Sequence, residues 1–267
     1  MSVDVIRFSS SYRWLRGNLK ELFSPNVSDE VLYIFSESHI YALGIISFVS
    51  ILVLWYAKYC NEMVRVNRLR TGLANFIILV EISWHVWAVS VGVWHVNHAL
   101  PLHLCSMGAI LSIFMLLKRN YSIFEVLYFW GIAGAVQAIL TPDLLGYNFP
   151  HFHYFWYFTS HGMVILAVLW MLIIEKVRPT WHSWRKTFII TSLYAVIVYP
   201  INVFTGGNYM LLMQKPVVPT LADFLDVWPG YLFWLYAVAV VIGTMCYLPF
   251  AIADSRAKLG RLSEARR

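Results

Sequence analysis

The sequence has little charge. Asp, Glu, Lys and Arg make up only 13% of its 267 residues, whereas 60% of the residues are apolar and the mean hydropathy is +0.64. Soluble domains carry about 25% charged residues, so an ordinary soluble fold is excluded. Cysteine is also scarce. The three cysteines lie far apart in sequence, a pattern that matches neither a disulfide framework nor a zinc site.

Acidic residues are fewer than basic ones, which gives a formal charge of +6. The basic residues fall in short segments between apolar runs rather than in one patch. Such a distribution is typical of a membrane orientation signal. We therefore expect no nucleic-acid partner. Protein partners are left open.

Apolar runs are what the sequence has in abundance, and each is near the length of about 20 residues that crosses the hydrocarbon core. The fold prediction is an all-α polytopic membrane protein, a bundle of seven transmembrane helices. The predicted spans are 39–59, 71–94, 101–117, 122–140, 152–174, 184–204 and 230–253. The corresponding division is an N-terminal tail (1–38), a transmembrane domain (39–253) and a basic tail (254–267).

The connections between these spans alternate between rich and poor in lysine and arginine. By the positive-inside rule, this places the N-terminus outside and the C-terminus in the cytoplasm, in the plasma (inner) membrane. Helical spacing of apolar residues over 8–23 predicts a further amphipathic helix lying on the membrane. The segment 205–229 is predicted to be a long outer loop, either a lid or a tethered surface loop.

Function in such a bundle is sought among polar groups at membrane depth, because an ionisable side chain there costs about 2.5 to 3.5 kcal/mol. Most of these groups fall in the outer half of the predicted bundle, which predicts a polar cavity open to the outer leaflet. The catalytic candidates are His103, His161, Cys105 and Ser106. The substrate-binding or supporting candidates are Glu81, His85, Gln137, Asp143, Tyr157, Tyr199 and Asn202.

Spacing suggests how some candidates are paired. Glu81 and His85 are four residues apart and are expected to share a hydrogen bond, as either a structural clasp or a catalytic pair. His103 and His161 lie at similar depth on different helices and are expected to converge. On a helix continuing from Pro101, Cys105 would point about 200° away from His103.

Several other polar and small residues have simpler interpretations. Glu125 is expected to reach water at the inner end of its helix. Four further histidines are expected to be exposed in outer loops, at spacings that match no standard metal set: His95, His98, His151 and His153. The small residues Gly131, Gly134, Ala135 and Ala138 predict a close-packing helix face. Tyr157, with Tyr154, fits the interfacial aromatic belt as well as a site.

Several longer motifs resemble the bacterial YwaF-like integral membrane family. They are LPLHLCSM (100–107), LTPDL (140–144), FPHFHYFWYFTSHG (149–162), NVFTGGNYMLLMQKP (202–216), WPGYLF (228–233) and YLPF (247–250). That family is similar to the animal transmembrane protein 164, an acyltransferase that moves fatty acyl chains between phospholipids. The resemblance implies the same chemistry here.

The third-helix motif of the animal enzyme has proline, cysteine, histidine and leucine in succession, with the cysteine as proposed nucleophile. In this sequence Pro101, His103 and Leu104 match, but Leu102 stands at the nucleophile position. The later histidine of the animal enzyme corresponds to His161. Leucine cannot form an acyl intermediate, so the implied mechanism lacks its central atom.

We therefore expect a membrane-embedded acyltransferase or transacylase that acts on the acyl chains of membrane phospholipids, with histidine as general base. Two versions are open: Cys105 or Ser106 takes the acyl group, or a histidine activates the acceptor hydroxyl directly. Cys105 is equally compatible with a simple core position. His161, Tyr157 or Asn202 would stabilise the oxyanion.

Two other classes of function use the same polar residues. A small-molecule, lipid or proton transporter would use Glu81, His85, His103 and His161 as relay groups, and a seven-helix sensor or receptor is the third class. The seventh span holds no lysine for a retinal Schiff base. We expect no metal and no cofactor, although two facing histidines could also ligate haem.

Overall fold

A computed structural model of the protein describes residues 21–27, 33–215 and 228–264. These ranges contain seven apolar helices and no strand. The helices are α1 (Glu37–Tyr59), α2 (Met63–Ser90), α3 (Leu104–Lys118), α4 (Tyr121–Leu140), α5 (Phe152–Ile173), α6 (Trp181–Thr205) and α7 (Gly230–Glu264). Six are long and apolar enough to cross a membrane, and α3 is shorter, with 15 residues. The predicted all-α fold is confirmed.

The helix bounds differ from the predicted spans where polar residues continue or interrupt a helix. α2 begins at Met63, eight residues before the predicted span, because its first two turns carry basic residues that hydropathy discounts. α3 begins three residues later than predicted, since the backbone of His103 is extended (φ −69°, ψ 148°). α7 continues to Glu264, beyond the predicted end of the span at residue 253.

Local side-chain chemistry fixes several helix ends. The Asn120 side chain accepts the N–H of Ile123 at the start of α4, and Thr180 with Ser183 forms a capping box at the start of α6. α6 ends at Gly206, whose positive φ of 68° is in the left-handed region that glycine adopts readily.

Helix α5 is the centre of the bundle. It packs against α1, α2, α3 and α4, and 61% of its most apolar 18-residue window is buried, against 6% for α7. A π-helical segment, Trp130–Ala135, interrupts α4 where it crosses α5. A Cβ on Gly131 would lie 2.9 Å from Val168 of α5. The predicted close-packing face is therefore confirmed at Gly131.

The two ends of the bundle differ in chemistry. The basic end comprises residues 58–70, 117–122 and 174–186, and the histidine end comprises 33–39, 91–103, 141–153 and 206–215. Glu125 lies near the basic end, where it is 6% exposed and accepts hydrogen bonds at 2.6 Å from Lys186 Nζ and Ser183 Oγ. The expectation that Glu125 reaches water is wrong, because an ion pair with α6 replaces solvent.

At the histidine end, residues 21–27 lie against the connection between α4 and α5. Three consecutive backbone carbonyls accept hydrogen bonds from three side chains of the bundle. The Trp87 indole donates to Phe23 O (3.2 Å), His151 Nε2 to Ser24 O (2.9 Å), and the Tyr147 hydroxyl to Pro25 O (3.1 Å). The amphipathic helix predicted over 8–23 falls mostly outside the described residues, as does the middle of the predicted loop 205–229.

Candidate functional site

His161 lies in the third turn of α5 and is 8% exposed. Its Nδ1 is 2.8 Å from the backbone oxygen of Tyr157. A carbonyl oxygen only accepts hydrogen bonds, so Nδ1 must carry the proton. The Tyr157 ring lies 4.3 Å away, centroid to centroid, and covers the imidazole. In neutral His161 the lone pair is therefore on Nε2.

His103 precedes the first residue of α3 and has the opposite arrangement. Its Nδ1 accepts the backbone N–H of Met210 at 3.4 Å, and its ring packs edge-on against Tyr209 at 5.3 Å. Because Nδ1 is the acceptor, neutral His103 carries its proton on Nε2. One imidazole thus presents a lone pair and the other presents an N–H.

These two imidazoles lie on elements that pack against each other, because His161 is in α5 and His103 directly precedes α3. The two rings thus offer different groups at Nε2, a proton acceptor on His161 and a hydrogen-bond donor on His103. The predicted polar cavity around them stays a prediction. One cavity, of about 210 Å³, lies between α6 and α7 and is lined by Trp184, Arg185, Phe188, Ile189 and Val240.

Cys105 faces α4. Its sulfur is 4.0 Å from the position that a Cβ on Gly134 would take. The expectation that Cys105 points away from His103 assumed a helical His103, whereas His103 is the extended residue before α3. That expectation stays a prediction. Among the described residues, neither the Cys105 thiol nor the Ser106 hydroxyl has a hydrogen-bond partner.

Three predicted supporting residues lie at or beside the end of α4, namely Gln137, Asp143 and Tyr157. The Tyr157 hydroxyl donates to the backbone oxygen of Ala138 at 3.0 Å, so it is occupied as a donor. Asp143 accepts the N–H of Leu145 at 3.2 Å within the following turn. Gln137 is exposed. The structure therefore gives Asp143 a local structural contact and places Gln137 on the surface.

Asn202 is 1% exposed in the last turn of α6. Its Nδ2 donates to Tyr209 O (2.9 Å) and its Oδ1 accepts from Tyr209 N (2.8 Å). The Asn202 amide is thus occupied by one backbone unit and is not free to stabilise an oxyanion. Tyr199, one turn earlier, is 41% exposed and does not share this buried position.

Glu81 and His85 do not bond to each other in the structure. Glu81 Oε1 accepts from Ser160 Oγ at 2.6 Å, and His85 Nδ1 accepts from the Trp94 indole at 3.1 Å. The expected i,i+4 pair is wrong, since packing supplies each side chain with a partner from another turn or helix. Glu81 nevertheless stays inside the bundle, about 13 Å below the end of α2.

Two histidines expected in exposed loops are buried. His151 and His153 are 7% and 5% exposed. His151 accepts the N–H of His153 at the start of α5, and His153 accepts from the Trp84 indole at 3.1 Å. In the part of the chain that the structure describes, no group of three or more His, Cys, Asp or Glu side chains is arranged to hold a metal.

Tyr209 and His39 are buried polar residues that were not among the predicted site residues. Tyr209 is fully buried, and its hydroxyl donates to Val96 O (2.7 Å) and accepts from Leu100 N (2.9 Å). Burial raises the pKa of Tyr209, which keeps this hydroxyl protonated. His39 Nε2 donates to Ile139 O at 2.7 Å and joins α1 to α4. The glycine pair before Asn208 was the available signal for a tight, buried turn.

The fold defines an integral membrane protein built from apolar helices, with a polar site under one end of the bundle. Residues 34–247 match the TMEM164 family, and the chain belongs to that family. The expected relationship to transmembrane protein 164 is confirmed at this level, whereas the YwaF-like name stays a prediction. No curated protein and no solved structure matched the chain.

Proposed function

We propose that the protein is a phospholipid acyltransferase in which His161 is the general base and His103 is the hydrogen-bond donor to the oxyanion. The observation that carries the proposal is the opposite protonation of the two imidazoles, each fixed by a backbone partner. Acyl transfer needs both a proton acceptor and a donor aimed at the developing charge.

The proposed reaction is a direct transfer. His161 Nε2 removes the proton from the hydroxyl of a lysophospholipid, and that oxygen attacks the ester carbonyl carbon of a donor phospholipid. The His103 Nε2–H stabilises the oxygen anion of the tetrahedral intermediate. Collapse of the intermediate breaks the donor ester bond, and the leaving glycerol oxygen takes the proton from His161.

Direct transfer is supported over an acyl-enzyme by the environment of the possible nucleophiles. An activated thiol or hydroxyl is normally hydrogen-bonded to its base. In the described structure, Cys105 and Ser106 make no such bond. Leu102 replaces the cysteine expected from the family resemblance, and its side chain cannot carry an acyl group.

The substrates in this proposal are phospholipids of the surrounding membrane, reached through the apolar exterior of the bundle. We place the chain in the plasma membrane with the histidine end outside and the basic end in the cytoplasm. The distribution of lysine and arginine supports this orientation. The site would then act on the outer leaflet.

The test is acyl exchange between a labelled phospholipid and a lysophospholipid in proteoliposomes. His161→Ala should lower the rate by about 10²- to 10⁴-fold, the usual contribution of general-base catalysis, and His103→Ala by about 10²-fold or more. His98→Ala is the matched control, because His98 is exposed at the same end of the bundle. Full activity in both site variants would end the proposal.

A second candidate function, transport of protons or cations, is favoured by Glu81. The Glu81 carboxyl group is hydrogen-bonded to Ser160 inside the bundle. An ionisable group at this depth destabilises the protein, and such groups commonly have a function. In proteoliposomes this function predicts ion flux that Glu81→Gln abolishes, with no lipid remodelling. Lipid remodelling without flux would exclude it.

A further inference from the structure

The turn that follows α6, residues 208–212, is held in an uncommon conformation. Met210 and Leu211 both have positive φ, 58° and 56°, in the left-handed region that is unfavourable for a residue other than glycine. Such strain persists only where the surroundings fix it. We call this segment the Tyr209 turn.

Hydrogen bonds from several elements hold the Tyr209 turn. Asn202 binds both backbone groups of Tyr209. The Tyr231 hydroxyl donates to Leu211 O, and the Trp228 indole donates to Leu212 O at 3.0 Å. Helix α6 and the start of α7 therefore fix the turn from two sides.

The Tyr209 turn is also joined to the segment that carries His103. The Tyr209 hydroxyl bridges Val96 O and Leu100 N in the connection before α3. A Cβ on Gly207 would lie 2.6 Å from Asn97 O, so this close approach requires glycine. The turn and the His103 backbone are thereby held as one unit.

Together these contacts fix the position of the Met210 N–H. The Met210 N–H belongs to the peptide that follows Tyr209 and donates to His103 Nδ1, so the position of Tyr209 sets its direction. A donor at Nδ1 excludes a proton there in the neutral ring. The proton is then on Nε2, on the side of the ring that faces away from the turn.

We propose that Asn202 is a positioning residue that sets the tautomer of His103, by holding the Tyr209 turn so that Met210 N–H occupies Nδ1. The structural part of this inference stands alone, and its catalytic consequence rests on the proposed acyltransferase function. Without Asn202 the turn relaxes, His103 populates the Nδ1–H tautomer, and the oxyanion donor is lost in that fraction of molecules.

The experiment is ¹⁵N NMR of the full chain labelled at histidine, in nanodiscs, with peaks assigned through single histidine substitutions. The wild type should show His103 protonated at Nε2 and His161 protonated at Nδ1. Asn202→Leu should shift His103 toward Nδ1–H and leave His161 unchanged, because the His161 tautomer depends on the Tyr157 carbonyl. Asn202→Ser, whose hydroxyl is too short to hold Tyr209, is the milder variant if Asn202→Leu does not fold.

Tyr199→Leu is the matched control, on the same helix but exposed, and should leave both spectra unchanged. In acyl exchange, Asn202→Leu should lower kcat in proportion to the fraction of His103 that loses its Nε2 proton, with little change in KM, since an interaction of the transition state is lost. A wild type with His103 protonated at Nδ1, or a folded Asn202 variant with an unchanged His103 spectrum, overturns the inference. Absence of acyl exchange in the wild type, with the expected spectra, overturns the proposed function alone.

Discussion

Cys105 and Ser106 test the direct mechanism at the scale of single residues. If no acyl-enzyme forms, Cys105→Ala and Ser106→Ala should each keep acyl exchange within about threefold of the wild type, because neither side chain enters the proposed reaction. The measurement is the initial rate, with the intact mass of the protein recorded after incubation with donor lipid alone. An added acyl mass that Cys105→Ala abolishes would establish a covalent mechanism instead.

His151 makes a pH-dependent contact outside the membrane-spanning helices. Burial lowers the pKa of His151 from its ordinary value of 6.5, and the hydrogen bond to Ser24 O opposes that shift in part. His151 Nδ1 accepts the His153 N–H, so it carries no proton in this contact. The detached state therefore binds a proton more readily. Attachment of residues 21–27 is fully stable above about pH 6.5 and is lost as the pH falls through the lowered pKa.

Hydrogen exchange of residues 21–27, corrected for the intrinsic pH effect, measures this attachment. We expect protection near neutral pH and faster exchange at about pH 5. His151→Gln cannot titrate, so its exchange should no longer respond to pH, although its protection is weaker throughout. An unchanged pH response in His151→Gln would show that another group controls the contact.

For single residues, the sequence predicted the depth of ionisable side chains in the membrane better than it predicted their hydrogen-bond partners. Depth along a helix follows from counting, which is why His103 and His161 could be expected at similar depth. Partners depend on helix rotation and on loops, so Glu81 was assigned to His85 rather than to Ser160. For Asn202 and Tyr209 the contact is seven residues away through a left-handed turn that no periodicity predicts.

At the scale of helices, Gly243 determines how α7 packs on α6. A Cβ at this position would lie 2.4 Å from the Trp184 ring, which is fixed by its own packing against Phe129 and Phe188. Gly243→Ala should therefore destabilise the protein by about 1–3 kcal/mol through overpacking. The readout is thermal unfolding in detergent.

Gly44 is the matched control for this substitution. It is also helical, but nothing lies within 4 Å of a Cβ built on it. Gly44→Ala should be neutral or stabilising by up to about 1 kcal/mol, the helix-propensity gain. Equal effects at the two positions would mean that contact with Trp184 does not limit the packing of α7.

The ion pair of Glu125 with Lys186 joins α4 to α6. Glu125 is almost fully buried, whereas the Lys186 side chain is 26% exposed and can reach water. Glu125→Gln should destabilise the protein by about 1–3 kcal/mol, less than for a fully buried pair. The Glu62–Arg65 pair is about 60% exposed on both sides, so Glu62→Gln should cost under about 1 kcal/mol. Thermal unfolding compares the two, and similar losses would contradict a special role for the buried pair.

The helices themselves were largely predictable, because length and hydropathy decide whether a segment crosses a bilayer. Two exceptions have clear physical causes. α3 is short because Pro101 and the extended backbone of His103 delay its start. The π-helical segment of α4 arises from packing against α5, which sequence periodicity does not encode.

At the scale of the whole molecule, the two ends of the bundle are held together by different kinds of interaction. The basic end is joined by charge pairs, including Glu175 with Arg119 at 3.1 Å and Asp254 with Arg178 at 2.7 Å. The histidine end is joined mainly by backbone carbonyls and amides that accept from or donate to Trp, Tyr, His and Asn side chains. Charge pairing leaves an excess of positive charge at one end, and neutral hydrogen bonding leaves the other nearly uncharged.

This asymmetry predicts the orientation in the membrane. The excess of lysine and arginine should keep the basic end in the cytoplasm. Cys60 lies at that end, after α1, so in a variant with Cys105 and Cys246 replaced by serine it should react with a membrane-impermeant maleimide only after the cells are permeabilised. Asn97 is exposed at the histidine end, and Asn97→Cys in a cysteine-free background should react in intact cells. The reverse pattern would place the histidine pair under the inner leaflet, where the proposed reaction would act on cytoplasmic phospholipids instead.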